Sequence, residues 1–221
     1  MRVLHRGPHC GRLRICSTTG FGRRIVGPLL TSFRAKYPDI AIDFWLQDIA
    51  PDLTANRIDI AFCDDRMDDA RIVARQLIPM QLHVCASLAY ARELGLPRTV
   101  DELSGHRCIN VRTASGRVAE WEFKTGGVSQ KTVPRALLTF NDPDLVLQSV
   151  LDGEGIAQLP AYQASVLLRE RRLLACLAQY APDDRGHYAC YRMCKQLPPH
   201  VSVLLDYMTV RIRALDLSSS I

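Results

Sequence analysis

No apolar run in the 221 residues approaches the ~18 needed for a helical membrane span, so no membrane association is expected. The opening MRVLHRGPHC is basic but lacks the apolar stretch of a secretory leader, so no export signal is read there. There is no Cys-x-x-Cys pair, and no metal site is expected. A Gly-x-Ser-x-Gly nucleophile elbow is also missing. His5, His9, His83, His106, His187 and His200 are dispersed without a triad context, which argues against an enzyme. Arg2, Arg6, Arg12 and Arg14 cluster early, and Arg169, Arg171 and Arg172 late, with no aromatic pattern beside them. Solvated faces explain such charges better than a nucleic-acid groove, and a net charge of +5 is modest.

What is present is a core. Hydrophobic residues make up 48% of the chain, enough to bury one large domain or two small lobes. The eight cysteines fall mostly inside apolar segments and read as reduced core thiols of a cytoplasmic protein. Cys190 and Cys194, four apart in one strand, are too distant for an unstrained disulfide.

The stretch from Gly11 to Phe44 organises the rest. Leu13 and Ile15 alternate as in a strand, and Ser17, Thr18, Thr19 and Gly20 follow as a short polar loop. Phe21, Ile25, Val26, Leu29, Leu30 and Phe33 recur at helical spacing. Gly27-Pro28 should interrupt that helix, leaving a loose first turn and regular helix from Pro28. Ile40, Ile42 and Phe44 form the next strand. A polar loop at the carboxyl end of a strand, facing a helix start, is where open α/β sheets hold ligands.

Further on, Asp48 is expected to cap a short helix over Ile49 to Asn56, and Ile58 to Cys63 reads as a buried strand ending at Asp64. Asn141-Asp142-Pro143-Asp144 marks a second helix start after a strand, with a capping side chain and proline at N1. An amphipathic helix from about His200 to Leu215 closes the chain. The strand–polar loop–helix pattern thus occurs twice, and two α/β lobes are the simplest architecture.

Each of these features also has a plainer reading. Ser17 to Thr19 can cap their own helix, Asn141 and Asp142 theirs, and Asp64 and Arg112 can be ordinary surface charges. Gly20-x-Gly22 with Asp43 downstream evokes a dinucleotide loop, but Ile25 fills the place of the third small residue, so no cofactor is expected.

In order and spacing, several short segments together resemble the effector-binding domain of LysR-type transcriptional regulators across nearly all of Gly11 to Leu215. They are Gly11-Arg12-Leu13-Arg14-Ile15, Tyr37-Pro38, Ile58-Asp59-Ile60-Ala61, Cys85-Ala86-Ser87 with Tyr90, and Asp101-Glu102-Leu103 with His106-Arg107-Cys108-Ile109. Trp121-Glu122-Phe123, Asn141-Asp142 and Gly153-Glu154-Gly155-Ile156-Ala157 with Leu159-Pro160 complete the set, and point towards the CrgA-like branch.

The resemblance implies an α/β, two-lobed, periplasmic-binding-protein-like (type 2) fold. Each lobe would be a mixed sheet flanked by helices, with a ligand cleft between the lobes. It assigns residues 1–10 to a linker, 11–82 with 190–221 to lobe one, and 83–189 to lobe two. Carried over by position, a small effector, expected to bear a carboxylate, would meet Ser17, Thr18, Thr19, Gln47, Asp64, Asn110, Arg112 and Asn141. The branch commonly has arginine where this chain has Asp64, which speaks against a simple dianion. The resemblance further implies a homo-oligomer, dimer or tetramer, sharing the helix at Asp144 to Leu151 and the first helix. DNA would be contacted only through an N-terminal winged helix-turn-helix that these residues do not include. A solute-binding protein of a transport system shares the fold and is the alternative; a small α/β enzyme is the third.

Overall fold

The computed structural model describes residues 10–215 and 217. The expected linker therefore lies outside the described residues except for Cys10, as do Arg2, Arg6, His5 and His9. The chain divides into two units, one formed by residues up to Pro79 with Gly186–Leu215, the other by Met80–Arg185. The crossings expected near His83 and Cys190 are placed by this division at Pro79/Met80 and Arg185/Gly186.

In the first unit, strand β1 (Gly11–Ser17) leads into a three-residue helix α1 (Thr19–Phe21), a π-helical stretch Gly22–Val26 and helix α2 (Gly27–Lys36). The helical path is not cut at Gly27-Pro28, but it is loose ahead of that pair and regular from Gly27 onward, close to the expected start at Pro28. Pro28 has no N–H to give to the carbonyl four residues back, and the helical path widens ahead of it instead of ending. Gly27 N–H bonds Gly22 O, five residues back, and Pro28 then sits in the first turn of α2. Phe21, Val26, Leu30 and Phe33 are buried. Strand β2 (Ile40–Leu46) runs parallel to β1, with Leu13 beside Ile42 and Ser17 beside Leu46. Strand β3 (Ile60–Cys63) flanks β1 on its other edge, also parallel.

The short helix expected over Ile49 to Asn56 is instead a set of turns at residues 53–57. Asp52, not Asp48, organises them, its Oδ1 accepting the N–H groups of Thr54 and Ala55 at 2.8 and 2.9 Å. These bonds hold the backbone in a side-chain-closed turn, which competes with a helical ladder. Strand β4 (Ile72–Pro79) ends this part of the unit.

The second unit holds β5 (Leu82–Ser87), α3 (Leu88–Leu94), β6 (Cys108–Val111), β7 (Trp121–Thr125), β8 (Val128–Thr132) and β9 (Ala136–Phe140). Then come α4 (Pro143–Leu151), β10 (Ala157–Pro160), α5 (Ala161–Arg169) and β11 (Leu173–Cys176). Its strands form three small groups: antiparallel β10-β5-β11, the parallel pair β6-β9, and the hairpin β7-β8. A single bridge, Cys108 to Ile156, extends the parallel pairing beyond β6. Two apolar clusters fill the unit. Tyr90, Trp121 and Phe123 anchor one, and Ile109, Val146, Val150 and Leu159 the other. Asp142 caps α4 as the sequence predicts, its Oδ1 accepting the N–H groups of Asp144 and Leu145, with Pro143 in the first turn.

Strand β12 (Gly186–Arg192) and helix α6 (Pro199–Arg213) return to the first unit. β12 lies antiparallel between β3 and β4, giving a mixed sheet of order β2-β1-β3-β12-β4. Helix α6 buries Val201, Leu204, Leu205, Met208 and Ile212 and lies against β4, β1 and α2. Phe33 meets Tyr207 edge to face at 5.3 Å, and Arg213 Nε donates to Leu77 O at 3.1 Å. Helix α2 buries Leu30 and Phe33, half-buries Leu29, and exposes Pro28 and Ala35 beside the polar Thr31, Ser32, Arg34 and Lys36.

Candidate functional site

Parallel pairing of β1, β2 and β3 brings their carboxyl ends side by side. Two backbone bonds tie the loops that leave them: Gln47 N–H to Ser17 O at 2.9 Å, and Thr18 N–H to Phe62 O at 3.1 Å. Ser17, Thr18, Thr19, Gln47 and Asp64 therefore share one edge of the first unit. Ser17 is 1% exposed, and neither its Oγ nor the buried Oγ1 of Thr18 has a hydrogen-bond partner among the described residues. Buried hydroxyls without partners are uncommon, because each costs the desolvation of a polar group.

Gly22 lets the helical path lie close over this edge. A Cβ there would collide with Leu46 Cδ2 and come within 2.9 Å of Ser17 Cβ. Thr19 is engaged within the chain. Its N–H donates to Asp48 Oδ1 at 2.7 Å and its hydroxyl to Asp48 Oδ2 at 2.8 Å. A side-chain carboxylate thus sits where the helix start was expected to receive an anionic ligand group. Gln47 is folded into its own loop, accepting from Trp45 Nε1 and donating to Ile49 O, both at 3.1 Å.

Asp64 Oδ1 meets His187 Nδ1 at 2.9 Å. The imidazole is 1% exposed and stacks on Phe21, with ring centroids 4.1 Å apart and planes 5° from parallel. Asp48, His187 and Phe21 are the neighbours that sequence reasoning missed. Asp48 lies 29 residues from Thr19, and His187 lies 123 residues from Asp64. No local spacing could have linked either pair.

Asn110, Arg112 and Asn141 lie together at one end of the parallel pair β6-β9 in the second unit. Asn110 is buried. Its Nδ2 donates to Pro134 O at 2.9 Å, while its Oδ1 has no partner among the described residues. Arg112 N–H donates to Phe140 O at 2.6 Å, and its Nη1 curls onto Gly116 O at 2.8 Å. Asn141 is exposed immediately before the cap of α4. Among the described residues no group of three or more His, Cys, Asp or Glu could hold a metal ion. No helix among them is long and apolar enough to cross a membrane.

A parallel strand core closed by a returning antiparallel strand, joined to a second α/β unit, defines a type 2 periplasmic-binding-like domain. Residues 6–212 match the LysR substrate binding domain, and the chain belongs to that family. Its relatives include the HTH-type transcriptional activator AaeR of Escherichia coli, 26% identical over 90% of this chain and 64% of that protein. A putative transcriptional regulator of Pseudomonas aeruginosa is 30% identical over 89% of this chain and 65% of its own length. The chain therefore spans about 64–65% of these relatives. Among solved structures, CrgA of Neisseria meningitidis superposes with a TM-score of 0.81 at 23% identity, covering 93% of this chain and 69% of that one. The CrgA regulatory domain alone gives 0.77 at 24% identity, covering 92% and 99%.

Proposed function

We propose that this chain is the small-molecule-sensing part of a cytoplasmic LysR-type transcription regulator, and that Ser17 and Thr18 contact the effector. The observation that carries the reading is the pair of buried, unpartnered hydroxyls at the end of β1. Membership of the substrate-binding family supplies the context, and relatives named as transcriptional activators supply the regulatory role. Asp48 already satisfies Thr19, so the effector's oxygen-rich end meets Ser17 and Thr18, with Asp64 and Gln47 beside them. Asn110, Arg112 and Asn141 are a further set of contacts that we assign to the same ligand class. DNA contact belongs to a winged helix-turn-helix elsewhere in the whole protein.

Binding is preferred to catalysis at this edge. Serine, histidine and aspartate are all present near this edge, but Ser17 Oγ has no hydrogen bond to His187 or to any other described group. A nucleophile without its base is not activated. The test is a thermal-shift screen of small carboxylates and related metabolite-sized acids, since a ligand of the native state raises apparent stability. For a hit, Thr18→Ala should weaken binding about three- to tenfold in calorimetry, the range for one neutral hydrogen bond, with the circular dichroism unchanged. Unchanged affinity in the folded variant would move the site elsewhere.

We further propose self-association through the second unit. Leu137 on β9, 72% exposed, and Leu145 on α4, 51% exposed, leave apolar surface on an edge strand and the helix that follows it. An edge strand with apolar side chains is a ready pairing surface. Sedimentation velocity at tens of micromolar should show a dimer or larger species, roughly where weak interfaces populate. A monomer under those conditions would refute this.

A further inference from the structure

Strand β4 carries one residue more than the stretch of β12 opposite it. Gln76 pairs with Tyr188 and Ile78 with His187, so Leu77 is the extra residue, set against the His187–Tyr188 step. Such a bulge bends its strand, increases the local twist and re-aims the side chains beside it. β4 is also an edge of the five-stranded sheet, with no further strand to pair on its outer side. One side chain takes both carbonyls of the bulge. Arg213, the last residue of α6, donates from Nε to Leu77 O at 3.1 Å and from Nη2 to Gln76 O at 3.4 Å. On β12 the bulge is admitted by Gly186, where a Cβ would collide with Gln76 Nε2 and stand 3.0 Å from Tyr188 Cε2.

We propose that Arg213 is a positioning residue for the candidate site: its fork on the bulge fixes where β12 sets His187, and through His187 the carboxylate of Asp64. His187 lies at the step where the register shifts, between Gly186 and Tyr188. Its ring is 1% exposed, lies 4.1 Å from the Phe21 ring with planes 5° apart, and brings Nδ1 to 2.9 Å from Asp64 Oδ1. A parallel stack and a directed hydrogen bond made by one ring leave it little freedom to turn, so its place is set by the backbone that carries it. That backbone is the part of β12 bent by the bulge. Arg213 therefore reaches the site without touching it. That Asp64 lies beside an effector rests on the proposed function; the placing of His187 does not.

Two plainer roles for Arg213 lead to different outcomes. A cation in the last turn of a helix is favoured by the helix dipole, and a long charged side chain laid along an edge strand covers it. Lysine would serve either role. It would not replace the planar fork that meets two carbonyls at once, because an ammonium acts as a point charge on a flexible stem. Helix α6 also has a second polar tie to β4, the Arg75–Asp206 ion pair at 3.6 Å, which leaves the bulge carbonyls alone. Breaking that tie separates the docking of the helix from the hold on the bulge.

The experiment compares the full chain with Arg213→Ala, Arg213→Lys and Asp206→Ala, all without ligand. It records the imidazole nitrogen-15 resonances of His187, its nuclear Overhauser contact to the Phe21 ring, and the carboxyl carbon-13 resonance of Asp64. Both Arg213 variants should shift the His187 and Asp64 signals and weaken the contact to Phe21, with circular dichroism unchanged. Asp206→Ala should leave all three as in the parent. Unmoved His187 signals in folded Arg213→Ala overturn the proposal, and so does their restoration by lysine, which would assign the effect to charge. An equal disturbance in Asp206→Ala also overturns it, since docking of α6 as a whole would then be responsible. A His187 shift with Asp64 unmoved overturns the last step. Lysine keeps the charge and most of the packing, so that variant decides the matter if the alanine variant does not fold. No effector enters the measurement, so the placing of His187 stands or falls apart from the binding assignment.

Discussion

The helical path after β1 and helix α4 after β9 both begin at strand ends, yet they are capped in opposite ways. Helix α4 is capped by its own sequence: Asp142 bonds the amides of Asp144 and Leu145, two and three residues on. The helical path after β1 is capped from a distance, by Asp48 on Thr19, 29 residues away in the loop leaving β2. A local cap fixes one helix start and nothing else. A distant cap also fixes two strand-exit loops to one another, and here it does so beside the two unpartnered hydroxyls of Ser17 and Thr18.

The larger break in this comparison should come from Asp48→Ala. It removes two charge-assisted bonds at once, and about 1–2 kcal/mol is expected in chemical denaturation. It should also speed hydrogen exchange at the Thr19 and Gln47 amides, because the loop after β2 loses its anchor. Unchanged exchange at Gln47 would show that the cap does not tie the loops. Asp142→Ala should cost less, about 1 kcal/mol, with exchange faster at residues 144 and 145 and unchanged in the first unit. If the two variants lose protection over equally wide regions, the distinction between local and distant capping fails.

The same distinction explains what could be read in advance. β1, β2 and the start of α4 were legible because alternation, a capping side chain and proline at N1 act over a few residues. The Ile49 to Asn56 helix was misread because Asp52 closes the turn there, while the more obvious cap, Asp48, is used by Thr19. The π-helical stretch was half-legible. Pro28 announced a disturbance, but whether a proline ends a helix or widens it depends on what holds the turn ahead of it, here the bond from Gly27 to Gly22. In the candidate site, the strand-end positions of Ser17, Gln47 and Asp64 followed from the pattern. The partners of Thr19 and Asp64 did not, because register between distant strands selects them. The fragmentation of the second unit's strands into three groups was likewise invisible to periodicity, which marks a strand but not its neighbour.

Gly22 allows the close approach between the helical backbone and the strand ends. It also acts as an aperture. A methyl built there would stand 3.1 Å from Ser17 Oγ as well as against Leu46. The room around that hydroxyl is therefore set by a residue with no functional group. A side chain at position 22 would shutter the serine without altering any atom of the serine itself.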